Sequence, residues 1–138
     1  MDREQILEVN DIFYRALGTR DLELMKTIWV LEERAGCVHP GWTILRGWEN
    51  IYQSWENIFD PEDQVDINLS AVNVSINKNM AWLTCVQEMV YIKREPSMFN
   101  LSQSTNIFEK RDGKWLMVVH HASPIPIDNY KVEDNSLQ

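Results

Sequence analysis

A chain of 138 residues with 44% hydrophobic and 25% charged side chains is one folded domain's worth of material, which excludes general disorder. Its 21 acidic against 13 basic side chains leave a net charge of −8, and no stripe of Lys or Arg offsets it, so nucleic-acid binding is not expected. No apolar run approaches a membrane span, and "MDREQILEVN" carries acids where a signal peptide has its apolar core; the expectation is a cytoplasmic protein without a membrane partner.

Residues 2–17 read as an amphipathic helix. Ile6, Val9, Phe13 and Ala16/Leu17 recur at helical spacing, Asp2 and Gln5 form a capping pair, and Gly18 supplies a left-handed end. "RDLELMKTIW" is a second, shorter helix capped by Asp21, with Leu22, Met25 and Ile28/Trp29 on one side. In "CVHPGWTIL", Cys37 to His39 is extended and Pro40-Gly41 forces a turn. After Gly47, "WENIYQSWENIF" returns to helical period, with Ile51, Trp55 and Ile58 on one stripe and Trp48, Tyr52 and Phe59 beside it.

From Val65 onward the period falls towards two. "VDINLSAVNVSI" changes phase near Ala71, which predicts a bulge. "NKN" is a turn, "MAWLTCVQEMVYIK" a long strand, "REPSMF" a loop, and "LSQSTNIFEK" and "KWLMVVHHAS" two strands joined by "RDG". Residues 128–138 read as a polar, frayed tail after a single domain over residues 1–127.

Three helices and then a meander of four strands make an α+β chain, its helices gathered on one face of an antiparallel sheet. "WLMVV" is apolar on both faces, so the second face needs a cover. A symmetric partner is the simplest one, which predicts a homodimer through the sheet. Cys37 and Cys85 read as free, buried thiols. Three histidines on two remote segments lack the spacing of a metal set, so neither a metal nor a cofactor is expected.

The order "CVHPGW…LRGW…I…W" followed by "STNIFEKRDGKWLMVVHHAS", spanning roughly residues 3–127, resembles the SnoaL-like branch of the nuclear transport factor 2-like superfamily. That resemblance implies a cystatin-like α+β cone, in which a strongly curved antiparallel sheet wraps around the N-terminal helices and a pocket opens between them. Relatives include steroid isomerases, dehydratases, polyketide cyclases, transport factors and the association domain of calcium/calmodulin-dependent kinase. The resemblance therefore implies a fold more than a function. The last two strands, with "SQS…RDGKW…H-x-S", are particularly similar to the kinase association domain, which usually has an Arg where this chain has Asn106, so the role of that Arg is not carried over.

Asp112-Gly113 suits a type I′ turn that pairs Arg111 with Lys114. Counted outward on an unbroken ladder, Ser104, Asn106, Phe108, Trp115, Met117, Val119 and His121 share one face. Thr105, Ile107, Glu109, Leu116, Val118 and His120 share the other. The first face joins an apolar floor to a few short polar groups, as small-molecule sites do. The resemblance likewise implies that the second histidine, His121, points into the cavity, and that the turn after His39 lies near its mouth.

The expected ligand-binding residues are then Tyr14, His39, Trp42, Trp55, Asn106, Phe108, Trp115 and His121, with His120 on the outer, dimer-side face. Five of these have a plainer reading beside them: His121 as a structural hydrogen-bonder, His39 as a brace on Pro40, and Trp42, Trp55 and Trp115 as core. Glu88, mid-strand in "VQEMVY", shares a face with Trp82, Thr84, Val86 and Val90. On a pocket face it is a candidate acid or base; on a dimer face it pairs with a partner's cation.

Two functions fit. One is a module that binds a small, mainly apolar organic molecule. The other is a cofactor-independent isomerase, dehydratase or cyclase. There His121 or Glu88 is the catalytic base beside a carbonyl, and His39, Asn106 or Tyr14 stabilises the enolate oxygen. The acid–base sets that the resemblance implies do not map onto this chain, which favours binding. A third reading, a non-catalytic assembly or transport module, predicts a filled cone.

Overall fold

The computed structural model describes residues 1–93 and 98–126. The polar tail expected from residue 128, and the "REPS" part of the expected loop, lie outside them.

Helix α1 (Asp2–Thr19) buries Ile6, Asn10, Phe13, Tyr14 and Leu17 along one stripe. Both of its ends differ from the expectation. Asp2 does not cap the helix; its Oδ1 accepts hydrogen bonds from Lys110 Nζ at 3.0 Å and Trp115 Nε1 at 3.1 Å. Two donors from the far hairpin outcompete a single local amide. The helix also runs through Gly18 and ends at Arg20, whose φ of 59° is left-handed. Gly18 serves a different need, because a Cβ there would lie 3.1 Å from the Val65 carbonyl oxygen of the first long strand. Asp21 does cap α2 (Leu22–Lys26), accepting from the Leu24 amide at 3.0 Å.

The remaining elements are β1 (Gly36–Val38), β2 (Leu45–Arg46), α3 (Trp48–Ile58), β3 (Val65–Asn77), β4 (Met80–Tyr91), β5 (Met98–Arg111) and β6 (Lys114–Pro124). They form one six-stranded sheet in the order β2-β1-β6-β5-β4-β3. The four long strands are the expected meander. The short β1 adds to it by pairing parallel with β6, and β2 pairs antiparallel with β1.

The expected bulge is present. Ser70 lies opposite Val86 and Asn73 opposite Thr84, with Ala71 at a φ of 54°. The "NKN" turn joins Asn77 directly to Met80.

The core fills the space between the helices and one face of the curved sheet, with Phe13, Trp29 and Trp55 packed against Leu83, Phe108 and Met117. Each such side chain contributes about 1.5–3 kcal/mol by leaving water. Among the described residues no helix covers the opposite face. Trp82 stands opposite Ile107 and Ile107 opposite Val119, so an apolar row crosses three strands there. Trp82 is 42% exposed. Among the described residues no helix is long and apolar enough to cross a membrane. Cys37 and Cys85 are both free and buried.

Candidate functional site

The C-terminal hairpin decides which side chains face the helices. Asp112 and Gly113 have φ values of 50° and 80°, the type I′ signature, and Arg111 pairs with Lys114 and Phe108 with Met117 as expected. The ladder then slips. Ile107 pairs with Val119, leaving Val118 as an extra residue on β6.

The neighbour on the other side of β6 gives the physical reason. The Met117 amide donates to Ile28 O at 2.7 Å and its carbonyl accepts from the Val30 amide at 2.8 Å. Two residues later, Val119 lies opposite Gly36 of β1. The strand changes partner here, and the bulge absorbs the change of phase.

Beyond Val118 the expected faces are therefore exchanged. Asn106 pairs with His120 and Thr105 with His121. His120 is 2% exposed and turned inward. His121 is exposed on the outer face, in a shallow groove with Thr84, Thr105 and Ser123. The placement of His121 in the pocket and of His120 on the dimer side is corrected accordingly.

His120 borders a cavity of about 520 Å³ between the end of α1, the β1–β2 turn, α3 and the ends of β4, β5 and β6. Leu17, Arg20, His39, Trp42, Trp55, Ile58, Gln87, Met89, Phe99 and Leu101 line it with His120. Among the described lining residues none is a carboxylate.

His39 leaves β1 just before Pro40, and its Nε2 lies 2.8 Å from Ser54 Oγ on α3. Ser54 donates its own proton to Ile51 O at 2.6 Å, so Oγ accepts from His39 Nε2–H. Trp42 and Trp55 meet the His39 ring edge-on, at 4.7 and 4.5 Å between centroids. Burial lowers the pKa of His39 to about 4.

His120 is held from behind. Its Nδ1 is 2.6 Å from Asn106 Oδ1. The Asn106 amide nitrogen donates to Asn10 Oδ1 at 2.9 Å and to Tyr14 Oη at 3.2 Å. Because that nitrogen serves two acceptors, Oδ1 is the atom facing His120, and Nδ1 carries the imidazole proton. Nε2 then presents a lone pair, with no partner among the described residues. Burial, and next the nearby His39 and His121, lower the pKa of His120 to about 3. Both inward histidines are neutral at pH 7.

Of the residues expected from sequence, His39, Trp42 and Trp55 meet at the cavity. Asn106 and Tyr14 stand one layer behind it as the brace of His120; burial raises the Tyr14 pKa, with nearby Cys85 adding to the effect. Phe108 and Trp115 are core. Glu88 points to the outer face, where it accepts from Asn68 Nδ2 at 3.3 Å, so it does not reach the cavity. Sequence reasoning missed His120, Gln87 and Arg20. Gln87 was within reach, since the alternation that singled out Glu88 turns its neighbour inward, where Gln87 accepts from Ser104 Oγ at 2.7 Å. Arg20 gave no signal; after a glycine and a threonine it reads as a solvated turn.

Four similarities bear on this geometry. The family model of the SnoaL-like domain matches residues 6–128. F-box protein SKIP8 of Arabidopsis thaliana is 31% identical over 127 residues, covering 92% of this chain and 52% of that protein. The chain thus spans about half the length of the curated relative it matches. A dehydratase candidate of the NTF2-like family from Streptomyces avermitilis superposes with a TM-score of 0.83 at 28% identity, covering 91% of this chain and 96% of that one. The association domain of C. elegans CaMKII superposes with a TM-score of 0.72 at 21% identity, covering 88% and 95%.

Proposed function

The chain belongs to the SnoaL-like family of NTF2-like domains, and from that premise we propose that it is a homodimeric pocket protein which binds a small, mainly apolar organic molecule between sheet and helices. The observation that carries this reading is the cavity itself. A hollow of about 520 Å³, walled by Trp42, Trp55, Phe99 and Met89 and set with two neutral imidazoles, matches small-molecule sites in size and chemistry. It also weighs against the filled cone of a pure assembly module. The apolar row through Trp82, Ile107 and Val119 supports pairing through the outer sheet face. The fold shared with an association domain is consistent with assembly. Free, buried thiols support a reducing compartment such as the cytoplasm.

The neutral fluorophore N-phenyl-1-naphthylamine tests the pocket. It brightens on entering an apolar cavity, and energy transfer from Trp55 reports that it lies there. Uptake by the wild type and weaker transfer in Trp55→Phe, where Trp42 still lines the cavity, are expected; absence of uptake overturns the reading.

A second reading is favoured by one contact and one relative. Asn106 holds His120 with its Nε2 lone pair free, as a general base requires, and the Streptomyces avermitilis relative is a dehydratase candidate. A pKa near 3 makes that base weak, which is why binding is preferred. Incubation with 2-tetralone in deuterated buffer separates the two. Deuterium entering beside the carbonyl in the wild type but not in His120→Ala supports the enzyme; exchange no faster than buffer supports the binder.

A further inference from the structure

Three buried side-chain nitrogens lack a hydrogen-bond partner among the described residues: Nε and Nη1 of Arg20 and Nε1 of Trp55. All three belong to residues lining the same cavity. All three are N–H donors, and none can accept. We infer that the cavity takes an organic anion, an apolar body ending in a carboxylate, with the carboxylate seated on the Arg20 and Trp55 donors. This rests on the cavity being a ligand site, as proposed above, and adds the chemistry of the ligand's polar end.

Arg20 is poorly explained without such a ligand. Its side chain is 3% exposed, and the Asp63 carboxylate stands 3.7 Å from Nη2, an ion-pair distance that is too long for a hydrogen bond. Phe59 and Tyr91 lie against the guanidinium at 5.4 and 5.7 Å. Stacking of that kind favours the face of the cation and leaves its in-plane N–H groups unserved. The backbone of Arg20 is also left-handed, where glycine would be the easier residue. A buried cation with two unpartnered nitrogens, Nε and Nη1, on a left-handed residue that lines a cavity suits an anion that arrives from outside.

Trp55 stands beside the same aromatic ring, its centroid 5.5 Å from that of Phe59, which places its indole next to the Arg20 cluster. No described lining residue is a carboxylate that would repel an incoming one, and the two histidines are neutral. Neutral His120 Nε2 and Gln87 are left to meet the polar atoms further along the ligand's body.

The test displaces N-phenyl-1-naphthylamine with 3-phenylpropanoate and with its neutral isostere 3-phenylpropanamide. The wild type is expected to prefer the acid by about tenfold or more. Arg20→Met should bind the amide as before and lose the preference, while Arg20→Lys, which keeps the charge, should retain part of it. Uptake of the neutral dye by each variant shows that its cavity is intact. Equal displacement by acid and amide, or a preference that survives Arg20→Met, overturns the anion assignment alone. Failure of the dye to enter the wild type overturns the pocket reading beneath it.

Discussion

The Nδ1 of His120 lies 2.6 Å from Oδ1 of Asn106, and this contact determines which nitrogen the cavity meets. Asn106 cannot turn its amide over without presenting N–H to N–H at His120 and losing Asn10 and Tyr14 as acceptors. The imidazole is therefore locked as the Nδ1–H tautomer. His39 is locked as the opposite one, its Nε2–H donating to Ser54.

The two tautomers are directly observable. Long-range proton–nitrogen correlation spectra should give one inward histidine the Nδ1–H pattern and the other the Nε2–H pattern, both unchanged from pH 7.5 to 5.5. Ser54→Ala should relax the second and leave the first. Rapid tautomer exchange at His120 in the wild type would contradict the Asn106 brace.

Replacing each of the adjacent histidines separates their roles. His120→Ala removes a buried ring that touches Phe13 at 4.6 Å and strands Asn106 Oδ1. An expected loss of about 2–4 kcal/mol should appear in urea unfolding. His121→Ala, on the exposed face, should stay within about 0.5 kcal/mol. The reverse result would mean that β6 has no bulge at Val118.

Stability should depend on pH through the same rings. Both pKa values fall on folding, from 6.5 to about 4 for His39 and to about 3 for His120. In the unfolded chain each histidine takes up a proton below pH 6.5, while in the folded protein neither does until near pH 4. The unfolded state thus binds more protons in that window, and stability falls as pH drops through it. The expected slope approaches about 1.4 kcal/mol per pH unit for each histidine. Denaturant midpoints at pH 7.5, 6, 5 and 4.5 measure it; a flat profile would mean that the rings are solvated.

The outer face of the sheet yields a prediction about assembly. Trp82→Asp, or Ile107→Asp opposite it, places a carboxylate in the middle of the exposed apolar row. Sedimentation should show a dimer for the wild type at micromolar concentration and a folded monomer for either variant. A wild-type monomer at that concentration would remove the interface.

Gly18 tests close approach against helix propensity. Alanine is the better helix former by about 1 kcal/mol. Its Cβ, however, would press on the Val65 carbonyl at 3.1 Å, and crowding of that kind typically costs about 1–3 kcal/mol. Gly18→Ala should therefore be destabilising in thermal unfolding; a gain in stability would show that β3 can move aside.

Much of this architecture was legible residue by residue. Asp21 announced a cap, Ala71 a change of phase, and Asp112-Gly113 a tight turn, because each acts through its own backbone or its nearest neighbours. These short-range preferences decide elements, turns and even one bulge, and with them the α+β class. The second bulge had no such signal. Val118 is extra only because Ile28, Val30 and Gly36, some eighty residues earlier in the chain, hydrogen-bond or pair with the far edge of β6. Strand alternation has a period of two, so this single distant insertion exchanges every face beyond it and puts His120 where His121 was expected. Arg20 makes the same point in another form. A charged residue in a turn belongs to solvent by every local rule, and only the packing of Phe59, Tyr91 and Trp55 around it turns it into a buried donor at a cavity wall.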